Sequence, residues 1–573
     1  MSGAQHPVDG RFTDRPDAGG RPDGSRALRR RSAADPATAT GPVAPGRRSG
    51  RLILGAIAAA ALLGAGAAVA LTPVAELSAV APAELTSRPA AATVGCPGPL
   101  SLPEELTRTG GDSALGSTAP NPAIAVRSVA LDGDSSVLFG TAQASTTRSN
   151  RDGTARVPTI AATTTEGQEI DAPVETSPLA VAVQTIPSVQ DAARVDLRDS
   201  GEAAAVGDVV QQTTTSTGDF RSRSLTRCQS PSTSATFLGV GTAAGSTTTL
   251  VLHNDSDRPA TASVQVFTAD GPAQMEGRSR VVVPAHTTEQ VVLESVVPGQ
   301  AAIGVQVDTV GAPLRMTLQA TEREGLTPRG AEILSAMPEP EADQILPGVV
   351  ARAGGPAPQL VLMNRRGTDV PVTVRVLGPA GPVNLAAVSQ PVTVAGGTVQ
   401  QVTLEGLPPG DYSVEVTSAE AVDAVVRSSV AGSDLPGSTV DAPLDFAVAT
   451  SAPRLDDGTV LALSPTGPDG RLVLSTTEAT TATLVPLGPD GAAGEPVPVQ
   501  LPADRAVTVP STALVTTAGP AAALTLVPGI PGTVTAAWVQ DGGTPESSGA
   551  LLSSVTVRQR MQTGEGELTL RSR

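Results

Sequence analysis

The chain predicts an all-β protein: tandem immunoglobulin-like β-sandwich modules that follow one N-terminal transmembrane helix. Three observations carry this. Apolar and polar residues alternate with a period of two through most of the body, as in Val372, Val374 and Val376 against Thr373 and Arg375. A pattern beginning Leu250-Val251-Leu252-His253-Asn254 returns at Leu360 and at Leu472, with spacings of 110 and 112 residues. One uninterrupted apolar run, 52–71, stands alone near the N-terminus.

Composition narrows the field before any motif is considered. The 573 residues suffice for roughly four domains at about 150 residues each. All 39 basic residues are Arg, against 56 acidic ones, for a net charge of −17. An acidic surface repels a phosphate backbone, so no nucleic acid is expected as a partner. With three His and two Cys, a soft-ligand metal cluster is not expected, and no cofactor is. One Trp, one Tyr and six Phe leave few rings on which sugars or bases could stack.

Residues 1–51 carry ten Arg and five Asp in a Gly/Pro/Ser/Ala-rich context. Such a segment cannot bury enough apolar area to offset its ordering entropy, and it reads as a disordered cytoplasmic tail. Residues 52–71 hold no polar side chain, and at 1.5 Å per residue they span roughly 30 Å, a bilayer core. Arg47, Arg48 and Arg51 precede the run and Glu76 is the first charge after it, which places the N-terminus inside and the bulk of the chain outside the cell membrane. A cleaved signal peptide ending at Ala68-Val69-Ala70 is the competing reading, and it exports the same body. Residues 72–95, with Pro73, Pro82 and Pro89, read as a semi-extended tether.

Cys96 and Cys228 are the only cysteines, and both follow the apolar run. An even count in an oxidising compartment suggests one disulfide, with two free buried thiols as the alternative. The bridge would bracket a first domain, 96–228, which reads as a divergent β domain. Ser136-Val137-Leu138-Phe139 and Leu179–Val183 look like strands there, and Thr213–Gly218 reads as a loop. Three β-sandwich repeats follow, at 229–342, 343–440 and 441–573. Their landmarks keep step: Val264-Gln265-Val266 answers to Val374-Arg375-Val376 and Leu484-Val485, and Val305-Gln306-Val307 to Val414-Glu415-Val416 and Leu524-Thr525-Leu526. Short alternating strands between Gly/Pro/Asp turns describe a sandwich, and the repeat length suits an immunoglobulin-like module. Trp538 falls where the second repeat has Val425 or Val426, as a core-filling aromatic or as an exposed sugar platform.

An Arg-flanked apolar span, a Cys96-Pro97-Gly98-Pro99 start, a second Cys before Phe237-Leu238-Gly239-Val240-Gly241, and a Leu-Val-Leu-x-Asn strand in tandem β modules together resemble an actinobacterial family of membrane-anchored, exported proteins of unknown function. The resemblance covers roughly 90–573 and transfers no activity. It implies encoding beside a large polytopic glycosyltransferase, and from that a role in envelope polysaccharide assembly or export.

No catalytic, cofactor-binding or metal-binding residue is assigned from the sequence. Gly111-Asp112-Ser113-Ala114 has the look of a nucleophilic serine, but no exported His precedes it, as the chymotrypsin order requires. His253 and His286 both sit at turns. The pairs Asp132/Asp134 and Asp255/Asp257 read as turns rather than Ca²⁺ loops, because the place of Asp255 is taken by Arg365 in the next repeat. The expectation is a non-enzymatic, membrane-tethered scaffold or protein-interaction protein of the cell envelope, with an envelope glycosyltransferase or other envelope protein as partner. A glycan-binding module protein is the alternative, and it needs Trp538 and Tyr412 exposed.

Overall fold

The structure, a computed structural model, describes residues 84–87, 91–100, 122–144, 156–200, 204–275, 277–433, 441–466, 469–543, 549–562 and 566–569. The tail at 1–51, the apolar run at 52–71, the tether as far as 83 and the Gly111–Ala114 stretch lie outside the described residues. No helix among the described residues is long and apolar enough to cross a membrane. Their regular elements are strands and short 3-10 turns. Pro82–Arg573 forms one compact unit.

The second module shows the plan. Its eight principal strands are Ser234–Val240, Ser246–His253, Ala260–Thr268, Arg280–Val283, Thr288–Val292, Ile303–Val310, Arg315–Glu324 and Thr327–Ser335. They form two antiparallel sheets, in the orders first-sixth-third-fourth and fifth-second-seventh-eighth. Inward residues of both sheets, among them Phe237, Leu250, Leu252, Val264, Val305 and Leu318, close one core between them. The third module, Glu341–Thr450, repeats this order, with its sixth and seventh positions fused in the single strand Gly410–Ala431. The fourth, Thr459–Thr556, repeats it again. One strand order therefore recurs in all three stretches, but the immunoglobulin strand order is not what is found. That order pairs the first strand with the second and the seventh with the sixth. Here the first strand pairs with the sixth and the seventh with the second, so the two have exchanged sheets.

The region 96–228, expected to be a divergent domain, is a fourth copy of the same plan. Ala91–Gly95, Ala193–Arg198 and Thr159–Thr164 make one sheet, and Val181–Ile186, Ala123–Asp132, Ala205–Thr215 and Ser222–Arg227 make the other. It departs in one place: its fourth strand, Val174–Ser177, pairs with the fifth and so belongs to the other sheet. Two local expectations fail here. Ser136–Phe139 is a 3-10 turn that buries the consecutive Val137 and Leu138, which alternation in a strand would have separated. Thr213–Thr215, expected as loop, ends the buried strand Ala205–Thr215, where the Gln211 and Gln212 amides donate to the Thr213 and Thr214 hydroxyls. The boundary expected at 440/441 also moves. Leu444–Thr450 pairs with Gly410–Ala431 and completes the third module.

The four modules are not beads on a string. The eighth strands, Ser222–Arg227, Thr327–Ser335, Leu444–Thr450 and Ser553–Thr556, touch one another in cyclic order and close a ring. After the fourth module, Met561–Gln562 adds to strand Ala205–Thr215 of the first, so the chain's end helps to seal the circle. Arginines stitch the seams. Arg427 grips Glu322 through both terminal guanidinium nitrogens, 2.5 and 2.6 Å, and lies over the Phe446 ring between modules two and three. Arg352 and Arg471 share Asp411 and Asp541 between modules three and four, at 2.5 to 3.2 Å. Arg227 is bidentate to Asp208 at 2.6 and 3.0 Å, and Asp208 also accepts the Ala462 N–H, joining module four to module one. The planar five-donor fork suits such shared carboxylates better than an ammonium would, which gives an all-Arg chain a structural use.

Two glycines let first strands press on the next module. Gly239 (φ 99°) and Gly348 (φ 84°) each sit at a register shift, and a Cβ there would meet Val425 at 2.9 Å and Ala537 at 2.9 Å respectively. The Gly-rich pair in Phe237–Gly241 is thus in part a seam device.

Candidate functional site

The Leu-Val-Leu-x-Asn motif places the polar groups. Its Leu residues point into the core, which carries the Asn to the end of the second strand, where Asn254 is fully buried. The Asn254 amide donates to the Arg258 and Val283 carbonyls at 2.8 and 3.1 Å, and Asn364 does the same to Thr368 and Val394. The motif therefore fastens the turn after the second strand to the end of the fourth. In the second module this brings the 254–258 turn beside the 284–287 turn. Both histidines of the body, His253 and His286, consequently face one cleft of about 570 Å³ between modules one and two.

His253 is bracketed: its Nδ1 lies 2.7 Å from the Thr288 hydroxyl and its Nε2 lies 3.1 Å from Asp255 Oδ1. Arg315, from the seventh strand, donates to both oxygens of Asp255 at 2.5 and 3.0 Å, and its third arm reaches the Cys96 carbonyl at 3.2 Å. Burial alone would raise the Asp255 carboxyl, but the hydrogen bonds from His253 and Arg315 outweigh it and hold the group well below the usual carboxylate range. His286, exposed and at φ 57°, meets Asp257 at 2.8 Å. Thr288, His253 and Asp255 include the group types of a hydrolytic relay. The charge of Asp255, however, is already matched by Arg315, and the arrangement works as a clasp from module two to the first module's backbone.

The clasp has a mirror in charge. Register pairs His253 with Arg315 and Met363 with Asp423, so Asp255–Arg315 and Arg365–Asp423 occupy equivalent places with signs reversed. Arg365 grips Asp423 at 2.8 and 3.3 Å, and burial lifts that carboxyl to about 6 against the pull of Arg365. In module four the place is uncharged, with Ser475 opposite Thr535.

Cys96 and Cys228 form the disulfide that the sequence suggested, 132 residues apart, at the two ends of the first module. Asp132 and Asp134 stand in one turn, in which Asp132 accepts the Asp134 N–H and also the Ser200 hydroxyl. No group of three or more His, Cys, Asp or Glu side chains among the described residues could hold a metal ion. Trp538 and Tyr412 are both core residues. Trp538 opposes Leu472, as Val426 opposes Leu360, and the Tyr412 hydroxyl donates to the Pro408 carbonyl at 2.7 Å. Neither offers a ring face to a sugar.

Sequence reasoning placed each histidine at a turn but missed that the two turns share one end of a sandwich. The repeat's strand order would have revealed it. A buried group at the ring centre was also missed. Asp445 accepts the N–H groups of Arg223, Leu552 and Phe446, and burial raises its carboxyl to about 7. Glu332, hydrogen-bonded to Ser224, is pushed well above its usual value by burial.

No curated protein and no solved structure matches the chain. A family match does extend over residues 182–512, more than half of the sequence, from the fifth strand of the first module to just past the fifth strand of the fourth. The chain belongs to this family of unknown function, DUF5719.

Proposed function

We propose that the protein is a non-enzymatic scaffold of the bacterial cell envelope, held outside the membrane by residues 52–71 and presenting its ring of sandwiches to an envelope glycosyltransferase or another envelope protein. The observation that carries this reading is how the polar side chains are used. His253, His286, Asp255, Arg315, Arg427 and Arg471 are engaged with one another and with neighbouring modules. A ring so cross-tied suits a rigid platform, and its disulfide suits an oxidising compartment. Proteolysis of intact spheroplasts tests the topology: the body should be digested while an epitope on residues 1–51 stays protected. Crosslinking in intact cells, followed by identification of the captured proteins, tests the role. Recovery of an envelope assembly enzyme is the expected result. A body that resists protease until the membrane is opened, or a capture that contains no envelope protein, refutes the reading.

A further inference from the structure

At one end of the ring's centre lies a vestibule of about 460 Å³, walled by modules one, two and four. It adjoins a smaller cavity of about 50 Å³, lined by residues of all four eighth strands, and Arg227 and Arg558 line both. The two arginines are not alike. Arg227 is fully used: Asp208 takes two of its arms and the Thr556 carbonyl a third at 2.6 Å. Arg558 donates to the Ala336 carbonyl at 3.1 Å, its Nε is buried without a partner, and it makes no ion pair among the described residues. Asp208 is hydrogen-bonded to Arg227 and the Ala462 N–H, and acts on Arg558 only through space. The remaining carboxylate of the wall, Glu339, stands exposed. The wall thus holds two guanidinium groups and two carboxylates, of which Asp208 is bound to Arg227 and Glu339 pairs with neither, so Arg558 stands without an ion-pair partner among the described residues.

We propose that this vestibule binds a small organic oxyanion, with a carboxylate or phosphate seated on the terminal nitrogens of the Arg558 guanidinium. A planar guanidinium matches such groups through two parallel hydrogen bonds. The volume exceeds that of a bare ion and falls in the range of small-molecule sites. Met337 on the wall supplies an apolar contact for the ligand's carbon skeleton, while the Ser230 and Ser232 hydroxyls beside it are already given to the Thr93 and Ser234 carbonyls. Burial, with Arg227 close by, lowers Arg558 to about 10, as expected of a cation set in dry surroundings beside another.

Titration calorimetry of the purified full-length protein with inorganic phosphate, pyrophosphate and citrate, at constant ionic strength set with sodium chloride, tests this. One saturable site per chain is expected for at least one probe, with a loss of affinity of tenfold or more in Arg558→Gln and a partial loss in Arg558→Lys. Arg194→Gln, in the outer cleft, leaves it unchanged. Should Arg558→Gln fail to fold, phenylglyoxal labelling of the wild type gives the same answer: the bound probe protects Arg558 and leaves Arg194 reactive. No saturable binding, chloride competing as well as the oxyanions at equal concentration, undiminished affinity in Arg558→Gln, or Arg558 labelled equally with and without probe overturns the proposal. None of these results bears on the scaffold reading.

Discussion

The reversed signs at Asp255–Arg315 and Arg365–Asp423 make a sharp prediction. The two pairs occupy the same register of the same fold, so the backbone accepts either polarity. Reversing one member, Asp255→Arg or Arg315→Asp, sets like charges against each other in a site where Arg315 is 9% and Asp255 25% exposed. Breaking one side of a largely buried pair costs about 3–5 kcal/mol, and the water-facing side of Asp255 favours the lower end, about 3 kcal/mol for either single variant. The double variant restores the pair. It loses the buried Arg315 contact to the Cys96 carbonyl, and a hydrogen bond to a charged group contributes about 1.5–3 kcal/mol, while the part-buried His253 contact on the water-facing side of Asp255 is replaced by solvent. The double variant should therefore lie about 2 kcal/mol below the wild type, and above both singles. Urea unfolding followed by far-ultraviolet circular dichroism measures all four proteins. A double variant at least as unstable as the worse single would refute the argument that the polarity is interchangeable.

Asp445 gives a pH dependence. Its carboxyl is raised to about 7 in the fold, so the native state holds a proton that the unfolded chain releases near 4; its contribution is fully present below about 4 and is lost as pH rises through 7. Melting temperature should fall between pH 5 and 8, and Asp445→Asn should flatten that slope. Cys96→Ser with Cys228→Ser should destabilise the fold by up to about 5 kcal/mol on the chain-entropy estimate for a 132-residue separation, read as a shift in the denaturation midpoint. Gly348→Ala forces a side chain into a left-handed backbone position facing Ala537 and should cost about 1–3 kcal/mol, seen as a lower melting temperature. The single Trp reports on module four alone: Trp538 emission should be blue-shifted and poorly quenched by acrylamide, and Trp538→Ala should cost about 3–5 kcal/mol.

The sandwich repeats were legible because their cores are built from alternating Leu and Val, and because Asn254 and Asn364 stand at the same point of two of the three copies. The first module was not legible, because it lacks that Asn, places a 3-10 turn and a long connection after its second strand, and sends its fourth strand to the other sheet. The ring was the least visible feature. Ser222–Arg227 reads Ser-Arg-Ser-Leu-Thr-Arg, which looks like a solvated edge, yet all six residues are buried. Periodicity reports which face of a strand meets its own sheet's core. It is silent when the second face is covered by another module through hydrogen-bonded polar groups, as where Thr226 donates to the Ile333 carbonyl and Ser224 bonds Glu332. The candidate cleft was invisible for a related reason: Arg315 lies sixty residues from its carboxylate.

The position of the disulfide sets how the molecule would carry a mechanical load. Tension entering along Ala91–Gly95 reaches Cys96, crosses the covalent bridge to Cys228, and continues directly into the strand that opens the next module. The polypeptide between the two sulfurs lies off that path, so the first sandwich can stay folded under a pull that would otherwise have to unravel it. Reduction would put it back in series as the first element to extend.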